Sequence, residues 1–342
     1  MSVISTDKMT QFARDILMAA GTDKDQAEGV AEVLVWSNAH GRPNQGVWRL
    51  PILTTRIKKG LFNTPCSPTI KAGKAAVAAM FGDNGIGHYV GRFAVDTAIE
   101  RAKEHGIATV AVSDSNFLGT CGYYVNRIAD QGMIGIMWNN SFPKVAAHGG
   151  QKPVFGTNPI AFAAPRKSDG NIIVDLSTGA SAGSTITKAI ENGESIAKGI
   201  AVDKDGNPIT DPSKVAGGTL LPFGGAKGYG LSLMVEILAG VLSGAGISKS
   251  VRSMYGDMEN PGNSGHFFIA IEIDALMDME TYYQRLELLI GYINESEGVQ
   301  LPGDNRWNAL IKMEQAGGIN LDKNTIETLT GLAAELGVAT PW

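Results

Sequence analysis

Cysteine is scarce, with only Cys66 and Cys121 in 342 residues. Two thiols cannot build a disulfide framework or a zinc cluster, and both read as small buried apolar residues. Charge is thin as well: Asp, Glu, Lys and Arg make up 18 % of the chain and the net charge is −5. With 44 % hydrophobic residues the chain can bury a large core, which excludes intrinsic disorder. A surface that neutralises many phosphates is basic, so the acidic balance argues against a nucleic-acid partner. The most apolar stretch, residues 229–244, is broken by Glu236 and is shorter than the ~20 clean residues of a membrane span. The N-terminus has no basic segment followed by an apolar run, so cytoplasm is the expected compartment. There is no long repeat, low-complexity tract, Walker loop, HExxH or CxxC pair.

What the chain does have is glycine, 43 residues without a collagen period. They read as turns, close backbone approaches and loops around a ligand. Met9, Phe12, Ala13, Ile16 and Leu17 recur at helical spacing. Gly21 stops that helix, and Thr22 to Asp25 resembles a capping box ahead of Ala27, Val30, Val33 and Leu34. A third helix is expected at 47–60. In the middle, β-prone runs at 76–81, 107–112, 134–138, 159–164 and 172–176 alternate with helical patterns at 89–104 and 123–131. A long helix at 228–243, a strand at 266–273 and helices between 279 and 336 follow. This alternation predicts an α/β or α+β sheet layer. The expected organisation is a helical part at 1–70, an α/β part at 71–275, and helices at 276–342 that pack back on the first part.

Three local patterns invite a chemical reading. Gly85, Gly87 and Gly91 follow a strand and open a helix, like a dinucleotide fingerprint with one residue too many; a tight structural turn explains them as well. Gly179, Ser181 and Gly183 match a nucleophile elbow, but only His266 lies downstream as a base. Asp203, Asp205 and Asn207 imitate a calcium loop whose twelfth position would be Lys214, where a glutamate is required, so no metal is expected. The histidines His40, His88, His105, His148 and His266 are scattered, and each alone reads as structural.

Longer stretches are specific. They are His40-Gly41 through Leu50-Pro51, Phe155 to Phe162, Asp175-Leu176-Ser177-Thr178, Asp203 to Pro212, Leu220 to Leu231 around Ala226-Lys227-Gly228, His266 to Ile271, and Leu301-Pro302-Gly303-Asp304. In this order they resemble the malate/L-lactate/ureidoglycolate dehydrogenase-like family of NAD(P)-dependent oxidoreductases. The resemblance implies a non-Rossmann fold, in which helical N- and C-terminal portions pack around an α/β cofactor-binding domain with a mixed sheet. It also implies a homodimer, NAD or NADP as cofactor, and a small carboxylate as substrate. By matching position it assigns cofactor contacts to Ser141, Thr157, Asp175, Leu176, Ser177, Ser181, Ala226, Lys227, Gly303, Asp304 and Asn305. Lys227 is expected inside the glycine-rich frame rather than as a solvated surface lysine.

The reaction so implied moves a hydride to or from the carbon of an α-keto or α-imino acid. Arg49 suits the substrate carboxylate, because a guanidinium matches it bidentately; the rival reading is a structural arginine in a salt bridge. A proton donor is also needed, and here the chain departs from the family. Asn44-Gln45-Gly46 stands where the family has Ser-His-Gly, and Phe117 in Ser115-Asn116-Phe117 stands at a second family histidine. Leu53 and Ser184 replace an expected tyrosine and lysine. The expected reaction-side residues are therefore Asn44, Gln45, Arg49, Asn116 and Phe117, with His40, Lys144 or water as alternative proton sources. Three functions stay open: a reductase with an unusual substrate, a nucleotide-using enzyme of non-redox chemistry, and a dinucleotide-binding pseudoenzyme.

Overall fold

The computed structural model describes residues 3–342, apart from the side chain of Ser184. Helix α1 (Thr6–Ala19) begins at Ser5 and α2 (Lys24–Ala39) at Asp23, and each of these side chains accepts an N–H of the first turn. Such caps satisfy donors that have no partner within the helix. Met9, Phe12, Ala13, Ile16 and Leu17 all face inward. Two 3-10 turns, Pro43–Gln45 and Val47–Arg49, precede α3 (Leu50–Lys58), so the expected third helix starts late.

The middle of the chain forms a seven-stranded sheet. Its spatial order is Thr69–Lys74, Val77–Phe81, Ile107–Ser115, Ser264–Glu272, Met133–Asn139, Ile160–Ala164 and Ile172–Leu176. Only Val77–Phe81 and Ile107–Ser115 run parallel, joined by the crossover helix α4 (Gly87–His105). Every other neighbouring pair is antiparallel. The sheet is mixed, as expected, whereas a Rossmann layer is mostly parallel. Helices α4 and α5 (Cys121–Ala129) bury Ala94, Ala98, Tyr124 and Ile128 against Val110, Met137 and Phe268. Each such large apolar side chain contributes roughly 1.5–3 kcal/mol. The glycines at 85–91 serve this packing. A Cβ on Gly87 would lie 2.1 Å from the Asn116 carbonyl, and one on Gly91 would lie 2.7 Å from the Tyr124 ring.

A five-stranded sheet lies beside it, in the order Pro208–Ile209, Ala201–Val202, Thr219–Leu220, Val145–Ala146, Pro153–Phe155. Its core includes Ile186 from α6 (Gly183–Asn192). The Asp203 carboxylate closes the adjacent turn by accepting the N–H groups of Asp205 and Asn207, both at 2.9 Å. The expected 228–243 helix is α7 (Ala226–Val235) continued by a π-helical segment, Glu236–Leu242.

The C-terminal part holds α8 (Met279–Asn294), α9 (Asp304–Gln315) and α10 (Lys323–Leu336). Leu329 and Ala333 of α10 share a core with Phe12, Leu17, Leu34 and Leu50, and Ile319–Asn320 pairs with Val3–Ile4. The chain ends thus pack together. Helix α8 stays outside that core. It is tied to the edge of the sheet region by Tyr282 Oη donating to the Pro165 carbonyl (3.2 Å) and by Arg166–Glu287 (3.1 Å), and it turns Leu288, Leu289 and Tyr292 outward. Among the described residues no helix is long and apolar enough to cross a membrane.

Candidate active site

The turn Val47–Arg49 points the Arg49 side chain inward, where it is only 9 % exposed. Its guanidinium carbon lies 5.0 Å from the ring centre of Trp48, 5.2 Å from that of Phe117 and 5.5 Å from that of Tyr255. Among the described residues its Nε has no hydrogen-bond partner, and burial brings its pKa down to about 10 with no carboxylate opposing the shift. The expected alternative of a structural salt bridge is therefore not what forms. A buried, unpaired guanidinium is costly on its own and strongly favours an anion.

Two further cationic or titratable groups feel that charge. His88 sits edge-on to Phe117 with ring centres 5.6 Å apart, fully buried and, among the described residues, with neither ring nitrogen partnered. Burial, and secondly Arg49, bring its pKa down to about 3, so the imidazole is neutral. Lys144 is fixed by its backbone: its N–H donates to the Phe155 carbonyl (2.7 Å) and its carbonyl accepts from Leu220 N–H (2.9 Å). Its ammonium lies 4.7 Å from the Phe142 ring centre. The residue is exposed by surface area, yet the protein crowding its head group, and then Arg49, hold its pKa below the ordinary lysine range.

Phe117 thus lies against Arg49. Asn116 does not offer a free polar edge. Its Nδ2 donates to Asn84 Oδ1 and the Gly85 carbonyl, both at 2.9 Å, and its Oδ1 accepts from Gly262 N–H at 2.7 Å. These bonds spend the side chain on fixing the loop that carries Phe117, which corrects the expectation of a reaction-side asparagine. Asn44 and Gln45 lie in the turn just before Arg49, and Gln45 Oε1 is buried without a partner among the described residues. No described contact places Gln45 against Phe117. Leu53 is buried in the helical core, and a phenol comes to Arg49 from Tyr255 instead. Sequence reasoning missed His88, Trp48 and Tyr255 as neighbours of Arg49. Tyr255 lies about two hundred positions along the chain from Arg49, and no spacing rule links them.

The second set of residues converges along the strand Ile172–Leu176. At its start, Ile173 N–H donates to the Pro302 carbonyl (2.9 Å), and Gly303 turns into α9 with φ 109°. A Cβ there would meet Ile173 N at 2.9 Å. Asp304 accepts from Leu301 N–H at 2.8 Å, and Asn305 is exposed in the first turn. Asp175 Oδ2 takes Arg306 Nη2 at 2.6 Å, together with Thr120 Oγ1 and Gly122 N–H at 3.0 Å, so this carboxylate joins three elements. Beyond the strand, Leu176 is exposed and Ser177 Oγ donates to the Thr157 carbonyl (3.1 Å). Thr157 N–H in turn donates to Ser141 Oγ (3.1 Å). Gly156 permits this contact, since a Cβ would sit 2.1 Å from Ser141 Oγ. Gly179 bridges to Pro222, and Phe223 N–H donates to the Thr178 carbonyl (3.0 Å), which brings in the N-terminus of α7. Ser181 Oγ donates to the Ala182 carbonyl. Gly224 faces open space, while Ala226 and Lys227 are exposed in the first turn of α7. Lys227 is therefore exposed in the single chain, contrary to the expectation that the apolar, glycine-rich frame would enclose it.

Other histidines are committed elsewhere. His266 is buried between Asn139 Oδ1 (2.5 Å) and Ser115 Oγ (2.8 Å), which ends the hydrolase reading with Ser181. His40 hydrogen-bonds the Trp36 carbonyl at 2.8 Å and stacks on the Trp36 ring.

The fold and the two residue sets define an α/β protein with two features. A glycine-lined frame presents backbone N–H groups and helix starts. The other is Arg49, a buried guanidinium that forms no ion pair among the described residues, with Phe117, Trp48 and Tyr255 around it. The chain belongs to the malate/L-lactate dehydrogenase family, whose profile matches residues 4–330. It is 36 % identical to a malate/(S)-sulfolactate dehydrogenase of Methanothermus fervidus, covering 99 % of this chain and 100 % of that protein. The solved structure of sulfolactate dehydrogenase from Methanocaldococcus jannaschii superposes with a TM-score of 0.91 at 33 % identity, covering 98 % of each chain. That of Δ1-piperideine-2-carboxylate reductase from Pseudomonas syringae gives 0.89 at 30 % identity, covering 97 % of this chain and 100 % of that one. Other relatives carry NAD(+) or NADP(+) in their names.

Proposed function

We propose that the protein is an NAD(P)H-dependent oxidoreductase that reduces an α-keto or α-imino acid, or oxidises the corresponding 2-hydroxy acid. The observation that carries this reading is Arg49, a buried guanidinium with no protein anion against it among the described residues. Arg49 would hold the substrate carboxylate in two parallel charge-assisted hydrogen bonds. Trp48, Phe117 and Tyr255 around it would keep water from that ion pair and so strengthen it. Ser141, Thr157, the 175–181 loop, Ala226, Lys227 and the start of α9 fit a dinucleotide. The close approaches at Gly156 and Gly303, and the open space at Gly224, leave backbone rather than side chain to meet phosphate and ribose. The nicotinamide, when bound, supplies the hydride.

A homodimer in the cytoplasm completes the reading. The outward row Leu233, Met234, Ile237, Val241 and Leu242 along α7 and its π-helical continuation supports a face covered by a second copy. The test mixes the protein with NADH or NADPH and a panel of oxaloacetate, pyruvate, sulfopyruvate and Δ1-piperideine-2-carboxylate, following the absorbance of the reduced nicotinamide. Turnover of one panel member is expected. Nucleotide binding with no turnover across the panel would overturn the reductase reading in favour of a pseudoenzyme or non-redox enzyme.

A further inference from the structure

Of the three rings around Arg49, Tyr255 comes from farthest along the chain. It sits in residues 251–262, which hold neither helix nor strand and must be shaped by side chains. We propose that Arg56 is a positioning residue for the substrate carboxylate, clamping the 254–260 turn so that the Tyr255 ring stays against Arg49. The inference rests on the reading of Arg49 as the carboxylate site, and it gives a role to a second buried arginine that acts only through the turn.

Arg56 is 1 % exposed and lies in the last turn of α3. It follows Arg49, the residue that opens this helix, by seven positions. Two helical turns place both side chains on one side of α3, about 10 Å apart along the axis. The Arg56 guanidinium donates three hydrogen bonds into the turn. Nη1 reaches the Asp257 carbonyl at 2.7 Å and the Met254 carbonyl at 3.4 Å, and Nη2 reaches the Asn260 carbonyl at 2.8 Å. The Phe62 ring centre lies 5.5 Å from the guanidinium carbon. A buried carbonyl needs a partner, and an irregular turn has no neighbouring strand to supply one. The planar fork of a guanidinium spans several acceptors in a fixed geometry, which an ammonium does not. Arg56 is thus spent on main-chain carbonyls, whereas Arg49 Nε is left for a ligand.

The rest of the turn is built to one shape. Ser253 Oγ accepts the N–H groups of Tyr255 (3.3 Å) and Gly256 (3.1 Å). Asp257 Oδ1 accepts those of Glu259 (3.1 Å) and Asn260 (2.9 Å). Met254 is buried in the helical core, while Tyr255 beside it meets Arg49 from the surface. At the far end, Gly262 N–H donates to Asn116 Oδ1 (2.7 Å), and the Gly262 carbonyl accepts Arg252 N–H (2.8 Å). The asparagine that fixes the Phe117 loop therefore also fixes the end of the Tyr255 turn.

The consequence is electrostatic. A ring on a guanidinium attracts the cation and displaces water from it, and a drier site strengthens the bond to a carboxylate. Trp48 is carried by the same short turn as Arg49, and Phe117 by the loop that Asn116 holds. Tyr255 is the ring that depends on Arg56. Releasing the clamp should therefore weaken carboxylate binding and leave the hydride step unchanged.

Oxalate, titrated calorimetrically into the protein with and without saturating NADH or NADPH, reads this without turnover. The wild type should bind oxalate and Arg49→Met should not. Arg56→Lys should weaken binding about tenfold, and Tyr255→Ala to a similar extent. The double variant should bind no more weakly than Tyr255→Ala alone, because the clamp acts through that ring. Tyr255→Phe restores the ring and should recover most of the loss. With a keto acid, Arg56→Lys should raise KM by a similar factor while kcat stays within about threefold. Asp257→Ala loosens the turn without altering the buried guanidinium, so it tests the clamp even where Arg56→Lys does not fold, and it should weaken oxalate as well. Unchanged oxalate affinity in folded Arg56→Lys or in Asp257→Ala, or additive losses in the double variant, would each overturn the assignment and leave Arg56 a residue of the fold alone. Absence of oxalate binding in the wild type, or binding that survives in Arg49→Met, would bring down the carboxylate site and this assignment with it. Oxalate binding as expected, with no keto or imino acid turned over, would overturn the reductase reading and leave the clamp standing.

Discussion

Replacing Arg49 by methionine separates a functional guanidinium from a structural one, because the two predict opposite changes in stability. Burial alone brings the Arg49 pKa from 12.5 to about 10. At about 1.4 kcal/mol per pKa unit, holding this charge inside costs the free protein about 3 kcal/mol. Trp48, Phe117 and Tyr255 return part of it, at roughly 0.5–1 kcal/mol for each cation–π contact. Methionine fills similar volume and keeps sulfur–aromatic contacts of its own. The nucleotide-free variant should therefore be as stable as the wild type, or more stable by up to about 2 kcal/mol. The urea midpoint at pH 7 measures this. The same change removes two charge-assisted hydrogen bonds, worth about 1.5–3 kcal/mol each, so KM for the keto acid should rise by at least about a hundredfold. Oxalate should raise the unfolding midpoint of the wild type and leave that of the variant unmoved. A variant that loses more than about 1 kcal/mol of stability while keeping its KM would show that Arg49 is structural.

Acid should weaken the protein through its buried histidines. His88 and His266 protonate near pH 3 when folded, and His40 near pH 4, against 6.5 as the ordinary value. Their folded pKa values are lowered, so the stability they contribute is complete above pH 6.5 and is lost as pH falls towards those values. Between pH 7 and pH 5 each should cost about 2 kcal/mol. Urea midpoints at the two pH values check this, and a midpoint indifferent to pH would refute it. Asp175→Asn strips the counter-charge from Arg306, which is 4 % exposed. Breaking such a pair on one side costs about 3–5 kcal/mol, and a thermal or urea shift corresponding to less than about 1 kcal/mol would show that the pair is dispensable. Gly156→Ala would place a Cβ 2.1 Å from Ser141 Oγ and 2.3 Å from its carbonyl oxygen. It should weaken NADH or NADPH binding about tenfold or more, seen as a fluorescence titration, while the far-UV spectrum is retained.

Much of the helical framework was legible because its determinants are local. Ser5, Asp23 and the apolar period of α1 suffice to place the first two helices. The order of the sheet was not legible. Ser264–Glu272 inserts between Ile107–Ser115 and Met133–Asn139, a pairing across more than a hundred residues that no local pattern encodes. The site divides in the same way. Arg49 and Phe117 could be named from short motifs, and they do meet. Asn116 carried the same motif signal, but its fate depends on Asn84 and Gly262, which are remote in sequence. The exposure of Lys227 was also hidden, since the apolar residues flanking it say nothing about which way a helix start projects.

The proposed nucleotide frame and the surroundings of Arg49 differ in how much substitution their backbones tolerate. In the nucleotide frame the critical positions are glycines whose missing Cβ is filled by neighbouring backbone or side chain, as at Gly156, Gly228 and Gly303. A substitution there moves the main chain, so the frame accepts little change. On the reaction side the main chain is held by residues next to the ones that would do chemistry. Asn38 Oδ1 accepts Val47 N–H at 2.8 Å and fixes the turn beside Gln45. Asn116 fixes the loop beside Phe117 through both ends of its amide. With the backbone secured by those asparagines, positions 45 and 117 can exchange side chains at little cost to the fold. The side chain at either position can therefore differ while Arg49 keeps its place.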